Sequence, residues 1–430
     1  MANLDKLMKL LGTSYSQFHA VRNMRAELID AGFIEIKEND NFTLYPGNSY
    51  FVTRNDSSII AFKLPEYPAK QLKITATHTD SPTFKLKPNP VKKYKNITSL
   101  NCEPYGGGLY YSFFDKPLTL AGRVFVKDGN EVTPELIYID KDLLYIPSVA
   151  IHMNRNANSS FEVNPARDSI PMLGETDDEF SFNDMLSQYV ESGEIISYDL
   201  FLVNRQKPTL VGLNGEFLSS PRLDDLASSY SALFGFINAE DDSSIQMYAS
   251  FDNEEVGSLT KQGAHSDFLK HIISRIGEAL GWSKNDRFQA LANSVLLSID
   301  NAHANHPNRP DLSDATTDVR LNGGIVIKYN ANQSYTSDGF SSSIVKALCD
   351  KLALPYQEFT NRSDLRGGST LGNISNSEVS LTSVDIGLAQ LAMHSANEIM
   401  GAYDVDDMVE LVAGFYSTPL YISGTSFSLK

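Results

Sequence analysis

Apolar side chains recur along this 430-residue chain in two different rhythms. Ala20, Val21, Met24, Leu28 and Ile29 fall at helical spacing and Gly32 follows as a stop signal, so the first 30 residues read as helix. Gln71–His78 is an apolar-rich run of strand length, and Pro82, Pro88 and Pro90 are then expected to break regular structure. From about Lys85 to Ser220 short β-type runs dominate. One is Leu118–Lys127, which leads into the turn pair Asp128-Gly129. Beyond Pro221 the rhythm alternates. Leu226, Tyr230, Leu233 and Ile237 form a helical stripe, Ile245–Phe251 reads as a strand, Leu269–Leu280 as a helix and Ser294–Asp300 as a strand. Ile325–Tyr329 is a further strand, and Ile344, Val345, Leu348 and Leu352 form another helical stripe. Val379–Asp385 reads as a strand, and Ile386–Met400 and Val405–Phe415 as helices. Such alternation predicts an α/β fold, a sheet covered by helices on both faces. The leading residues share that character. The chain therefore reads as one α/β unit, 1–85 and 221–430, interrupted by a β-rich insertion over 86–220.

Composition narrows the setting. At 42% hydrophobic residues the chain can bury a sizeable core. Lysine and arginine total 36 against 53 aspartates and glutamates, a formal charge of −17, which argues against a nucleic-acid partner and against docking on anionic lipid. Two cysteines, Cys102 and Cys349, cannot form a disulfide framework and fit a reducing compartment. The start has no basic segment followed by an apolar one, and no apolar run approaches the ~20 residues of a membrane span. The expectation is a cytoplasmic protein with no membrane partner.

Five segments place metal-competent side chains at or near the ends of expected strands, where open α/β sheets build their sites. In Ala76-Thr-His-Thr-Asp-Ser-Pro82, His78 offers a ligand and Asp80 a carboxylate to orient its other ring nitrogen. Taken singly, a His-x-Asp pair is more often a surface or capping pair. In Ser220-Pro-Arg-Leu-Asp-Asp225, either Asp224 or Asp225 could instead be a first-turn carboxylate favoured by the helix dipole. In Phe251-Asp-Asn-Glu-Glu-Val-Gly257, the adjacent Glu254 and Glu255 should repel. A bound cation would relieve this, one glutamate binding metal while its neighbour handles a proton. Asp300 ends its strand, with His303 and His306 close behind. His394 sits among Leu391, Ala392 and Met393, where a satisfied core histidine is the ordinary explanation. Together the five supply two histidines and three or four carboxylates, the ligand set of a two-zinc hydrolase site.

The order and wording of these segments resemble the M18 metallopeptidases, the aspartyl aminopeptidase family. The resemblance runs through nearly the whole chain. It includes Phe18-His-Ala-Val21, His78-Thr-Asp-Ser-Pro82, Tyr105-Gly-Gly-Gly108, Ser220-Pro-Arg-Leu-Asp224, Asp252-Asn-Glu-Glu-Val-Gly-Ser258, Ala302-His-Ala-Asn-His-Pro307, Val326-Ile-Lys328 and Gln390-Leu-Ala-Met-His-Ser395. It implies a bacterial-type member with a zinc-peptidase catalytic domain and a β-rich insertion that assists assembly into a homo-oligomer, usually a dodecamer. It further implies that Asp224 bridges two zinc ions, that His78 and Asp300 hold one, and that Glu255 and His394 hold the other. Glu254 becomes the general base that takes a proton from the attacking water and passes it to the leaving amine. His152 of a neighbouring subunit, His303, Lys328 and Tyr335 match substrate-contacting positions, Lys328 as the cation for an acidic side chain. Two stretches, 308–322 and 363–372, depart from the family's pattern near the expected substrate pocket. The activity implied is removal of one N-terminal residue from peptides, with preference for Asp or Glu. A related two-zinc deacylase or carboxypeptidase, and an inactive scaffold of the same fold, are the alternatives.

Overall fold

The computed structural model describes residues 2–240, 244–365, 367–368 and 370–430. Among them, nine strands form one mixed sheet in the order Ile34–Glu35, Ser49–Arg54, Ser58–Lys63, Ile245–Phe251, Leu72–His78, Val295–Ile299, Thr382–Gly387, Ile325–Tyr329, Tyr356–Thr360. The four central strands, from Ile245–Phe251 to Thr382–Gly387, run parallel. Their side chains divide by parity between two cores. Leu72, Ile74 and Ala76 join Ile245, Met247 and Ala249 on one face, under the helix Phe268–Ala279. Val295, Leu297, Ile299, Val384 and Ile386 face the other way, against Leu223–Asn238, Gly339–Leu352 and Asp404–Ser417. Burial on both faces is why these strands read as nearly continuous apolar runs.

A second sheet, six-stranded, is drawn from residues between Thr83 and Asn204, and its core packs Phe84, Leu120, Val124 and Leu200 on Phe113, Phe182 and Leu186. A five-stranded sheet joins Thr209–Val211 and Phe217–Ser220 to Glu398–Gly401, Ala389–Leu391 and Ala302–His303.

Three expectations need correction. The N-terminal segment is two helices, Ala2–Leu11 and Gln17–Asp30, because the Gly12–Ser16 turn breaks it. Pro88 and Pro90 lie inside the long strand Thr83–Tyr94, and an irregular register between Leu86 and Val91 accommodates them. Ile386–Met400 is not a helix. It holds the end of one strand and two further strands, and His394 sits on the connection between Ala389–Leu391 and Glu398–Gly401. The apolar pattern there reflects burial in sheets, which an apolar run of that length does not distinguish from helix.

Candidate metal centre

Three of the four central parallel strands deliver chemistry at their carboxyl ends, where open α/β sheets build their sites. His78 is the last residue of Leu72–His78. Glu254 and Glu255 form a single tight turn just past Phe251, entered through Asn253 in the left-handed region (φ 62°). Asn253 is held by its own side chain, which donates to Tyr105 Oη (2.8 Å) and accepts from Thr260 Oγ1 and Gln262 Nε2 (both 2.8 Å). Asp300 follows Val295–Ile299. Asp224 stands at the start of Leu223–Asn238 with non-helical angles (φ −81°, ψ 113°), which turn its side chain out of the helical path.

The five expected ligands converge. Asp224 presents one oxygen to each histidine: Oδ1 is 3.5 Å from His78 Nε2, and Oδ2 is 3.4 Å from His394 Nε2. Asp300 Oδ1 lies 3.8 Å from His78 Nε2, and Glu255 Oε1 lies 3.4 Å from His394 Nε2. Ligand atoms of His78, Asp224, Asp225 and Asp300 fall within 4.8 Å of one another, as do those of His78, Glu254 and Glu255, and those of Asp224, Glu255 and His394. His78 Nε2, Asp224 Oδ1 and Glu255 Oε1 are buried without a hydrogen-bond partner. Buried polar atoms are otherwise almost always paired. Three unpaired nitrogen and carboxylate ligand atoms, close together, fit a zinc site.

The electrostatics point the same way. Burial, with the charge of Asp300, pushes Glu254 up to about 8, and burial with the charges of Asp224 and Glu254 raises Glu255 strongly. Burial opposes charge on His394, yet hydrogen bonding to Asp224 and the charge of Glu255 raise it to about 10. Against burial, the two histidines hold Asp224 well below the ordinary carboxylate range. Crowded carboxylates of this kind are what a divalent cation offsets.

The supporting groups are arranged differently from expectation in one respect. His78 Nδ1 bonds the backbone carbonyl of Asp80 at 3.1 Å, while the Asp80 carboxylate is 3.4 Å away. That carboxylate is taken up by the backbone N–H groups of Glu254 (3.1 Å) and Glu255 (3.2 Å) and by the Tyr105 hydroxyl (2.7 Å). Asp80 thus fixes the glutamate turn. Asp225, fully buried, accepts the His78 backbone N–H (3.1 Å). His394 Nδ1 is paired with the Gly107 carbonyl (3.0 Å), which gives the Tyr105-Gly-Gly-Gly108 segment a role in aiming a ligand. Glu398 was not singled out by the sequence, although it lies four residues beyond His394; its carboxylate meets two ligand backbones.

The expected substrate residues divide. His303 is exposed at a cavity of ≈ 370 Å³ whose lining also includes Phe359, Asn361, Arg362 and Gln390. Parts of both departing stretches, Leu312–Asp314 and Gly367–Gly368, line the same cavity. Arg366 and Ser369 lie outside the described residues. Tyr335 is buried, its ring 6.4 Å from that of Phe359. Lys328 is 2% exposed. Its ammonium donates to the carbonyl of Asp300 (2.7 Å) and stands 3.6 Å from the Asp300 carboxylate. His152 does not join the cluster within one chain; it is exposed in the turn at 151–153, beyond the second sheet's strand Glu131–Tyr138.

Comparison with known proteins agrees with this geometry. A family model described as Aminopeptidase I zinc metalloprotease (M18) matches residues 10–416. The "Probable M18 family aminopeptidase 2" of Clostridium novyi is 43% identical over 424 residues, covering 96% of this chain and 98% of that protein. Its namesake from Clostridium acetobutylicum is 44% identical, covering 93% and 95%. Among solved structures, Ape4 in its complex with Nbr1 superposes with a TM-score of 0.92 at 34% identity, covering 96% of this chain and 85% of that one. The S. cerevisiae mApe1 dodecamer gives 0.84 at 26% identity, covering 96% of each. With the family model spanning residues 10–416 and relatives above 40% identical over nearly the whole length, the chain belongs to the M18 family of zinc metalloprotease aminopeptidases.

Proposed function

We propose that this chain is a two-zinc aminopeptidase that removes a single N-terminal residue from peptides, with preference for Asp or Glu. The observation that carries the reading is Asp224, whose two carboxylate oxygens face different histidines. Asp224 with His78 and Asp300 would hold one ion, and Asp224 with Glu255 and His394 a second. When bound, the ions supply Lewis acidity to the scissile carbonyl and to the attacking water.

The protein's own groups do the rest. Glu254, whose carboxylate lies beside His78 and Glu255, is the group placed to take a proton from the water and hand it to the departing amine. Asp80 and Tyr105 keep its backbone in register with the ligands. The cavity beside His303 receives the first side chain. The buried Lys328 ammonium, held on the Asp300 carbonyl and 5.3 Å from the Tyr335 ring centre, adds positive charge behind the site and favours an acidic one.

The reading extends to assembly, since the related mApe1 structure is a dodecamer. Val149, Ile151 and Met153 are 56%, 45% and 79% exposed around His152. Apolar side chains clustered on one loop suit burial against a second copy, which would bring His152 to a neighbour's site.

A panel of aminoacyl substrates, assayed with metal analysis on one preparation, tests the proposal. Expected are two zinc ions per chain, cleavage of Asp- and Glu-substrates ahead of Leu-substrates, and none of N-acetylated ones. Cleavage of the blocked substrates would instead mark a deacylase, and near-zero zinc with normal folding and no hydrolysis a scaffold.

A further inference from the structure

The strand Glu398–Gly401 pairs antiparallel with Phe217–Ser220, and Glu398 lies opposite Ser220. It therefore stands between the connection that delivers His394 and the turn that delivers Asp224. Glu398 is 2% exposed. Each of its oxygens has one partner: Oε1 accepts the backbone N–H of His394 at 2.7 Å, and Oε2 accepts the backbone N–H of Asp224 at 3.0 Å. Neither backbone is regular there. His394 is in the left-handed region (φ 64°), and Asp224 departs from its helix. Without the carboxylate, a buried N–H at Asp224 and a part-buried one at His394 would each lose their acceptor.

The residue type matters. A carboxylate accepts at both oxygens, whereas a carboxamide accepts at one and places a donor at the other. A buried carboxylate is costly unless it is fully hydrogen-bonded, so its presence here needs a reason beyond packing. Nearby hydrogen bonds leave the ligand connection little other freedom: the His394 carbonyl accepts from Leu109 N (2.8 Å), and Ala396 N donates to Ser112 Oγ (2.7 Å). One side of the His394 loop is thus tied to the segment 107–112, and Glu398 ties the other side to Asp224.

We propose that Glu398 is a positioning residue that sets the spacing of Asp224 and His394 and so tunes metal affinity at the His394–Glu255 half of the centre. This rests on the two-ion reading above. Outer partners of metal ligands are typically worth ~10–100-fold in affinity.

The test uses the full chain and its Glu398→Gln and Glu398→Asp variants. Zinc affinity for each ion is measured against a competing chelator, alongside kcat, KM and the melting temperature of the metal-free protein. Glu398→Gln is expected to weaken the ion at the His394–Glu255 half by ~10–100-fold and the other, which shares Asp224 but keeps His78 and Asp300, distinctly less, and excess zinc should restore part of kcat. Glu398→Asp, which keeps two acceptors on a shorter stem, should fall between. Zinc titrations of Glu398→Gln that superimpose on the parent, even with a lowered melting temperature, would overturn the proposal. So would parent-like titrations of Glu398→Asp, should the Gln variant not fold. A parent protein that binds one ion or none would overturn the two-ion reading itself.

Discussion

Single residues carry the chemistry through the groups they leave unpaired. Glu254 is held on the Asp80 carboxylate by its backbone, which leaves its side chain available. Glu254→Gln preserves shape and removes the proposed base. It should retain bound metal and lose ~10²–10⁴-fold in kcat, checked by metal analysis and steady-state kinetics. Near-normal turnover would remove Glu254 from its role. Lys328 is a sharper case. From sequence it matches a substrate-contacting position, and in the structure its ammonium donates to Asp300. Lys328→Met keeps the stem and deletes the charge. If the charge acts on the substrate, kcat/KM should fall roughly 10- to 100-fold for Asp and Glu substrates and much less for Leu. An equal loss on all three would mean that the ammonium works only by holding Asp300.

At the scale of elements, the site depends on how closely the central strands approach. Gly387 ends Thr382–Gly387, and a methyl group there would lie 1.9 Å from the Asp300 carbonyl oxygen. The same carbonyl receives Lys328, and the Asp300 N–H bonds Ile386 (3.0 Å), so Asp300 has no room to retreat. Gly387→Ala should cost on the order of 1–3 kcal/mol or more and weaken zinc at the His78–Asp300 half. Thermal melts of the metal-free protein and zinc titration read the two effects separately, and a parent-like result in both would show that the strands can part. The strands themselves were legible in the sequence, because their apolar runs end in Asp300, His78 and the glutamate pair. The setting of His394 was not. Its neighbours Leu391, Ala392 and Met393 suit a helix as well as a buried strand, and only pairing with residues 302–303 and 217–220 separates the two.

For the whole molecule, net charge and buried histidine matter most. The formal charge of −17 is far more than the site residues account for, so a surface of that sign repels acidic peptides rather than steering them. Any preference for acidic N-terminal residues must then be local. No helix of the described residues is long and apolar enough to cross a membrane. His19 is buried between the N-terminal helices and the rest, with Nδ1 2.9 Å from Ser16 Oγ, and burial drives it down to about 3. An unfolded histidine titrates near 6.5. The stability this group contributes is therefore present above pH 6.5 and is lost as pH falls toward 3. His19→Gln should flatten the decline of the urea midpoint between pH 7 and pH 4, by an amount on the order of a few kcal/mol at the acid end. An unchanged slope would assign acid sensitivity elsewhere.

The sequence by itself determined the chemical vocabulary: which strands end in metal-competent side chains, which glutamates stand side by side, and that the central sheet is covered on both faces. These are local properties, written in residue spacing of two or three to four. Only the tertiary structure decided which oxygen of Asp224 faces which histidine, that Asp80 supports the glutamate turn more than the imidazole, and that Glu398 ties two ligands together. Those facts depend on pairings between residues some 170 positions apart, such as Asp80 with Glu254 and Asp224 with Glu398. Spacing along a chain carries no record of such pairings, because the sheet order that creates them is set by packing of the whole.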